Sequence, residues 1–106
     1  MKKFEFSLQT LLNLRESVVK EQKNQLQIIQ AKLHNLRQDL YRIQEQKLQA
    51  VASFQRECEE GITTSRMQEY HAYFKAMEKR IEEQKKAIKE MEKKEEHQTQ
   101  LVIHAL

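Results

Sequence analysis

The sequence predicts an all-α protein in which two long helices form an antiparallel coiled-coil hairpin. Three observations lead to this prediction. The 106 residues contain no proline and one glycine, long stretches consist of strong helix formers such as Gln, Glu, Lys, Leu and Ala, and apolar residues recur at alternating steps of three and four. Because such a composition with a short hydrophobic repeat is typical of coiled coils, we expect a single hairpin over residues 1–106.

The first helix is expected over about residues 7–60. Ser7 has the character of an N-cap, and Phe6 and Leu11 on either side of it have the spacing of a hydrophobic staple. From Leu8 to Phe54 the alternating steps select fourteen positions, of which eleven are apolar, and Gln22 is one of the exceptions. We predict that the seam of this helix contains Leu26, Ile29, Leu33, Leu36, Leu40, Ile43 and Phe54.

The lone glycine marks the break between the helices. Gly61 is expected in the left-handed position that closes a helix, with a turn over about residues 61–64. Ser65 and Gln68 have the spacing of a capping box, so the second helix is expected over about residues 65–106. Its predicted seam contains Met67, Tyr70, Phe74, Met77, Ile81, Ile88 and Met91. A repeat of this period indicates a left-handed supercoil.

Apolar residues outside the seam predict surfaces that contact other proteins. The short turn makes the helices antiparallel, and a register with Phe54 opposite Met67 places Leu106 opposite Arg15. Leu11, Leu14 and Val18 then form an exposed second stripe near the amino end, which is typical of an interaction site. Farther along, Tyr41, Leu48, Val51 and Tyr73 also lie off the seam, with Leu48 level with Tyr73, and form either a second contact surface or scattered exposed apolar residues.

The residues that carry chemistry do not form a recognisable site. Two packed helices offer no water-excluding pocket for catalysis. The four histidines and Cys58 lack the close spacing of zinc ligands, and one glycine cannot build a phosphate-binding loop. We therefore predict no enzymatic activity, no cofactor, no metal and no small-molecule substrate.

The charge pattern limits the other binding functions. The net charge of +3 comes from 19 basic and 16 acidic residues, and the two signs alternate along the chain, as on the solvated faces of a coiled coil. Nucleic-acid-binding proteins concentrate their basic residues instead. No apolar stretch approaches the ~20 residues of a membrane span, and no secretory signal is evident. We expect a cytoplasmic protein with no membrane insertion and no nucleic-acid partner.

Two parts of the sequence, at its amino end and from Gly61 onward, resemble corresponding parts of a known protein family. The first is the amino-terminal string KFEFSLQTLLNLRE. The second is the turn Gly61-Ile62 followed by the aromatic and apolar residues Tyr70, Tyr73, Phe74, Met77 and Ile81, with Glu78 after Met77. Together these parts resemble the FliJ family, soluble components of the bacterial flagellar type III export apparatus, over nearly the whole chain.

The resemblance implies a two-helix coiled coil similar to the rotor-stalk subunit of rotary ATPases. It implies three partners, namely the hexameric export ATPase, the cytoplasmic domain of the export gate protein, and export chaperones. It also implies a cytoplasmic location, peripherally associated with the inner face of the cell membrane at the flagellar base. Family members generally continue through further basic helix, so we expect the ATPase-facing end to be incomplete here. The part implied to contact the ATPase is the open end of the hairpin, which comprises the carboxyl-terminal stretch and residues 4–18 with Phe4, Phe6, Leu11, Leu14 and Val18. The residues implied to contact the gate are Tyr41, Leu48 and Tyr73.

Two other interpretations fit the same residues. The chain could be a generic oligomeric coiled-coil spacer or adaptor, which would associate at micromolar concentration. It could also be a basic amphipathic protein that docks on anionic lipid or nucleic acid, and such binding would weaken steeply with salt.

Overall fold

Two helices account for almost all of the described chain. The computed structural model describes the backbone of residues 2–106 and the side chains from residue 7 onward. Helix α1 spans Lys2–Glu60 and helix α2 spans Thr64–Ala105, and residues 2–106 contain no strand. The helices pack against each other, so the predicted fold class, an all-α helical hairpin, is confirmed.

The amino end of α1 differs from the prediction. The helix is already formed at Lys2, so Ser7 lies inside it and the predicted N-cap at Ser7 is wrong. The physical reason is that residues 2–6 contain neither glycine nor proline, and a Ser within a run of helix-compatible residues does not by itself end a helix. The side chain of Phe6, needed for the predicted staple, lies outside the described side chains.

The turn is built by one glycine and one threonine. Gly61 has a φ of 100°, and its amide donates to the Cys58 carbonyl at 3.4 Å, so the predicted left-handed position is confirmed. The Thr63 hydroxyl accepts a hydrogen bond from the Arg66 amide at 3.1 Å, which makes Thr63 the N-cap of α2. The predicted capping box at Ser65 is therefore wrong. Thr63 satisfies a free amide of the first turn, so α2 starts at Thr64.

Contacts between the helices divide the chain into two compact units. We call Met1–Leu33 with Glu90–Leu106 the terminal unit, and His34–Lys89 the turn unit. In the turn unit, Ile43, Met77 and Ile81 form a buried cluster against which Leu40 packs. In the terminal unit, Leu33 is 1% exposed and Val102 is also buried. Each unit therefore has its own apolar seam between α1 and α2.

The predicted seam residues lie at graded depths. The deepest predicted positions are Leu33, Ile43, Met77, Ile81 and Ile88, which are buried, while Leu26, Ile29, Leu36, Leu40, Phe54, Tyr70, Phe74 and Met91 are half-buried. Met67 is exposed instead of covered. Its expected neighbour Phe54 packs against the rings of Tyr70 and Phe74, which lie farther along α2.

Glutamine side chains cross the seam in both units. In the terminal unit, Gln98 is buried, and its Nε2 donates to the backbone carbonyl of Gln22 at 3.0 Å and to Gln22 Oε1 at 2.6 Å. In the turn unit, Gln84 Nε2 donates to the Leu36 carbonyl at 3.0 Å. Arg15 Nη2 donates to the Leu106 carbonyl at 3.4 Å, as the predicted register requires. The polar residues that interrupt the apolar repeat thus form hydrogen bonds between the two helices.

We expect the double variant Gln22→Leu with Gln98→Leu to be more stable but less specific in its pairing. Replacing the buried Gln98 and its half-buried partner Gln22 by apolar residues removes the desolvation cost of the two amides, and polar residues in a coiled-coil seam favour one register and one oligomeric state. Thermal unfolding followed by circular dichroism should show a higher midpoint. Sedimentation velocity should show additional associated species.

The control for this variant is Gln100→Leu, which changes an exposed glutamine of α2. Neither its midpoint nor its sedimentation profile should differ clearly from those of the parent chain. A double variant with a lower midpoint and a single species like that of the parent would contradict the assigned role of the Gln22–Gln98 pair.

Candidate partner-binding surfaces

The terminal unit exposes a group of leucine side chains on α1. Leu11 is 62% exposed and Leu14 is 60% exposed. The predicted contact residues Leu11, Leu14 and Val18 are all exposed, together with Leu8 and Leu12. The other two predicted contact residues, Phe4 and Phe6, lie outside the described side chains. Clustered exposed apolar side chains of this kind mark interaction sites.

A groove runs beside these leucines in the same unit. Its apolar part is contributed by Leu12 and Val19 of α1 with Ala105 and Leu106 at the end of α2. The remaining lining is polar or charged and comes from Arg15, Glu16, Lys20, Lys23, Asn24 and Gln27. Sequence analysis did not find this groove, because six of its ten lining residues are polar or charged and each, taken singly, is typical of a solvated helix surface.

The turn unit places its exposed apolar residues on two separate surfaces. Tyr41 and Leu48, which are 66% and 62% exposed, line one groove with Val51 and Lys85. Tyr73, which is 41% exposed, lines a different groove with Ala50, Ser53, Arg66, Glu69 and Tyr70. The structure therefore does not bring Leu48 and Tyr73 into one patch.

The separation of Leu48 from Tyr73 has a simple geometric cause. Leu48 follows the seam position Lys47 in α1, whereas Tyr73 precedes the seam position Phe74 in α2. In an antiparallel pair of helices, a residue that follows the seam on one helix and a residue that precedes it on the other flank opposite sides of the seam. Leu48 and Tyr73 can therefore be level along the helices and still lie on opposite sides of the hairpin.

An aromatic cluster lies close to the turn. The ring of Phe54 is 5.1 Å from that of Tyr70, 5.8 Å from that of Phe74 in an edge-on arrangement, and 5.9 Å from that of His71. Tyr70 and Phe74 are themselves 5.9 Å apart between ring centroids. Tilted and edge-on pairs at these separations are favourable, so this cluster anchors the turn end of the seam.

An ionic network covers the aromatic cluster. The Arg66 guanidinium lies 4.8 Å from the centroid of the Tyr70 ring. Its Nε is 3.2 Å from Glu57 Oε1, and its Nη1 is 2.9 Å from Glu69 Oε2. The spacing of these residues in the sequence gave no indication of this network, because Glu57 and Arg66 belong to different helices.

The network shifts the titration of its members. Interaction with the Tyr70 hydroxyl, followed by hydrogen bonding and charge from Arg66, lowers the pKa of Glu57. The same contact with Glu57 raises the pKa of Tyr70, and hydrogen bonds to Glu69 and then Glu57 raise the pKa of Arg66. Glu57 Oε2 is enclosed and lies outside full hydrogen-bond geometry with any described group.

The described residues were also compared with the requirements of a metal site, a disulfide and a membrane span. Among them, no three His, Cys, Asp or Glu side chains gather where one metal ion could bind. Cys58 is an exposed free cysteine that forms no disulfide with a described residue. Within the described residues, neither α1 nor α2 contains a stretch both apolar and long enough to cross a bilayer.

These features define a class of protein, a two-helix hairpin with several exposed apolar surfaces. The chain belongs to the FliJ family, since the family model described as "Flagellar FliJ protein" matches residues 4–105. The resemblance seen in the sequence is confirmed, and with it a role related to flagellar export. No curated protein and no solved structure matches the chain.

We expect the stability of the hairpin to fall at acid pH in part through Glu57. A carboxyl whose pKa is lower in the folded chain than in the unfolded chain stabilises the fold fully above the unfolded value, near 4.5, and this contribution is lost as the pH falls through the lowered folded value. Glu57→Gln should therefore flatten the dependence of the unfolding free energy on pH below about 4.5. Urea titrations at a series of pH values measure this dependence.

Two further variants control this experiment. Tyr70→Phe removes the main cause of the shift, so it should weaken the acid dependence in the same direction as Glu57→Gln. Glu83→Gln changes an exposed carboxyl remote from the cluster and should leave the dependence intact. If Glu57→Gln and the parent chain lose stability in parallel below pH 4.5, the ionic network does not contribute.

Proposed function

We propose that this chain is a non-enzymatic coupling protein of the bacterial flagellar export apparatus. It binds the hexameric export ATPase, the cytoplasmic domain of the export gate protein, and export chaperones, and connects them through its helical surfaces. The observation that carries this proposal is the family match over residues 4–105. The exposed apolar residues of α1 support it, because a coupling protein requires binding surfaces apart from its own seam.

The ATPase contact is assigned to the amino-terminal part of α1. Leu11, Leu14 and Val18 are exposed on this part of the helix, and Phe4 and Phe6 precede them in the sequence. A row of leucines along one face can fill pockets of a partner, and the burial of each such side chain contributes about 1.5–3 kcal/mol at most. An apolar contact of this size can hold the chain on an ATPase without any change in the hairpin.

The gate contact is assigned to the surface that carries Tyr41 and Leu48. This surface has the two most exposed large apolar side chains of the turn unit and the adjoining Val51. Tyr73 lies on the other side of the seam with a less exposed ring. A variant at Tyr73 therefore serves as the control for variants at Tyr41 and Leu48. A protein with this role in export lies in the cytoplasm, peripherally associated with the inner face of the cell membrane near the flagellar base.

We expect Leu11→Asp with Leu14→Asp to weaken binding to the purified export ATPase by about tenfold or more, because truncating a buried anchor typically costs more than about 1 kcal/mol. Helicity should be unchanged, since both side chains are exposed. Titration calorimetry measures the affinity and circular dichroism at 222 nm the helicity.

The matched control for this pair is Ile28→Asp, which changes an exposed apolar residue of the same helix outside the leucine group. It should bind the ATPase as tightly as the parent chain. Full affinity in the double leucine variant would remove the amino-terminal part of α1 from the ATPase contact.

For the gate contact, we expect Tyr41→Asp with Leu48→Asp to reduce binding to the cytoplasmic domain of the gate protein. Tyr73→Asp should reduce it little, because Tyr73 lies on a different surface. Surface plasmon resonance with the immobilised gate domain compares the variants. The assignment fails if Tyr73→Asp abolishes binding while the Tyr41 and Leu48 pair retains it.

A further inference from the structure

The net charge of the chain is concentrated on one part of α2. Of the 19 basic and 16 acidic residues, residues 75–89 contain six basic and three acidic ones, which leaves 13 of each sign in the rest of the chain. The +3 charge of the whole chain therefore equals the charge of this segment. The segment lies entirely within the turn unit.

The positive charge of this segment lies along one stripe of the helix surface. Residues spaced alternately by four and three share one side of a helix. We use the name lysine stripe for the five exposed residues with this spacing, which are Lys75, Lys79, Glu82, Lys86 and Lys89. The seam side of the same segment contains the buried Met77, Ile81 and Ile88, so the lysine stripe faces away from α1.

The surroundings of the lysine stripe do not cancel its charge. No member of the stripe forms an ion pair with a described side chain, whereas Lys47 of α1 is paired with Glu78 at 3.6 Å. On one flank of the stripe, Arg80 balances the charge of Glu83. On the other flank, Lys85 balances that of Glu78. The exposed stripe thus retains a net positive charge, which favours an anionic partner.

The residue types of this segment favour lipid headgroups over a protein or a nucleic acid. Protein contacts depend on aromatic, apolar or arginine anchors, and among the described residues no exposed large apolar side chain lies between positions 75 and 89. Single-stranded nucleic acid stacks on aromatic side chains, and this segment contains none. Lysine provides a hydrated point charge, which is attracted to an anionic bilayer surface without insertion.

The geometry of the lysine stripe suits a flat surface. Lys75 and Lys89 are fourteen residues apart on one helix, a distance of about 21 Å at ~1.5 Å per residue. Since the four lysines lie in one straight row, all of them can reach a bilayer surface at the same time. The backbone of a nucleic-acid duplex curves away from such a row, so that fewer of the lysines would reach its phosphates.

We propose that the lysine stripe docks the chain on an anionic lipid bilayer. Its four lysines lie beside the lipid phosphate groups, and α2 lies along the surface with no side chain in the hydrocarbon. The inference rests on the proposed function only for the location at the inner face of the cell membrane. It adds the part of the chain that meets the membrane. The stripe shares no residue with the groove of Tyr41 and Leu48, so lipid and a protein partner can be bound together.

The test measures co-sedimentation of the whole chain with extruded vesicles. One set of vesicles consists of phosphatidylcholine alone, and the other contains in addition about 30% phosphatidylglycerol, an anionic lipid. We expect the chain to bind the anionic vesicles about tenfold or more tightly at low salt, because each lysine near an anionic surface contributes to the attraction. This preference should shrink as added salt screens the charges.

Substitutions locate the contact. Lys79→Gln with Lys86→Gln should weaken binding to the anionic vesicles by about tenfold, whereas Glu82→Gln should strengthen it by removing a repulsion. The matched control is Lys20→Gln with Lys23→Gln, which removes the same charge from two exposed lysines of α1 and should change the binding much less. Circular dichroism confirms that each variant retains its helicity.

Three results would overturn the inference. They are equal binding to the two sets of vesicles, an equal loss of binding in the two lysine pairs, and displacement of the chain from the vesicles by duplex DNA at an equal phosphate concentration, which would make a nucleic acid the preferred partner. The assay contains neither the ATPase nor the gate protein. Its failure would therefore leave the proposed protein contacts standing, and failure of those contacts would leave the lipid result standing.

Discussion

Burial of apolar side chains between α1 and α2 is the interaction on which the rest of the molecule depends. Each helix contributes a side chain about every three or four residues, and the deepest, Leu33 and Met77, are 1% and 2% exposed. Covering such a side chain contributes about 1.5–3 kcal/mol at most, and half-buried seam residues such as Leu26 in the terminal unit and Phe54 in the turn unit add smaller contributions. Since the seam takes up one face of each helix, the outer faces are free to differ in charge and apolar character.

The seam alone would permit the helices to slide, and the polar residues restrict that freedom. A leucine packs almost equally well one heptad along, whereas the Gln98 amide bonds to the Gln22 side-chain oxygen only when these two residues are level. Near the turn, Glu57, Arg66 and Tyr70 connect the helices in the same manner through charge and an aromatic ring. Specific pairing thus comes from the interruptions of the repeat, while most of the stability comes from the repeat itself.

The parts of the structure that could be predicted are those that follow from one repeating distance. The seam period, the break at Gly61 and the position of Leu106 near Arg15 all come from counting along a helix. The N-cap of α2 could not be settled in this way, because Thr63 and Ser65 compete within one turn and the hydroxyl that reaches a free amide decides. The prediction of a single surface with Leu48 and Tyr73 was wrong for another reason. Counting places Leu48 level with Tyr73 but does not say on which side of the seam each lies.

The hairpin connectivity also has a kinetic consequence. Residues that meet beside Gly61 are close in sequence, nine apart for Arg66 and Glu57, whereas Gln98 and Gln22 are 76 apart. Closing a loop costs more entropy as it lengthens, and contacts of small sequence separation form sooner. Assembly of the hairpin should therefore nucleate beside the glycine and propagate toward the chain ends, so that the groove carrying Lys20 and Lys23 is completed last and opens first.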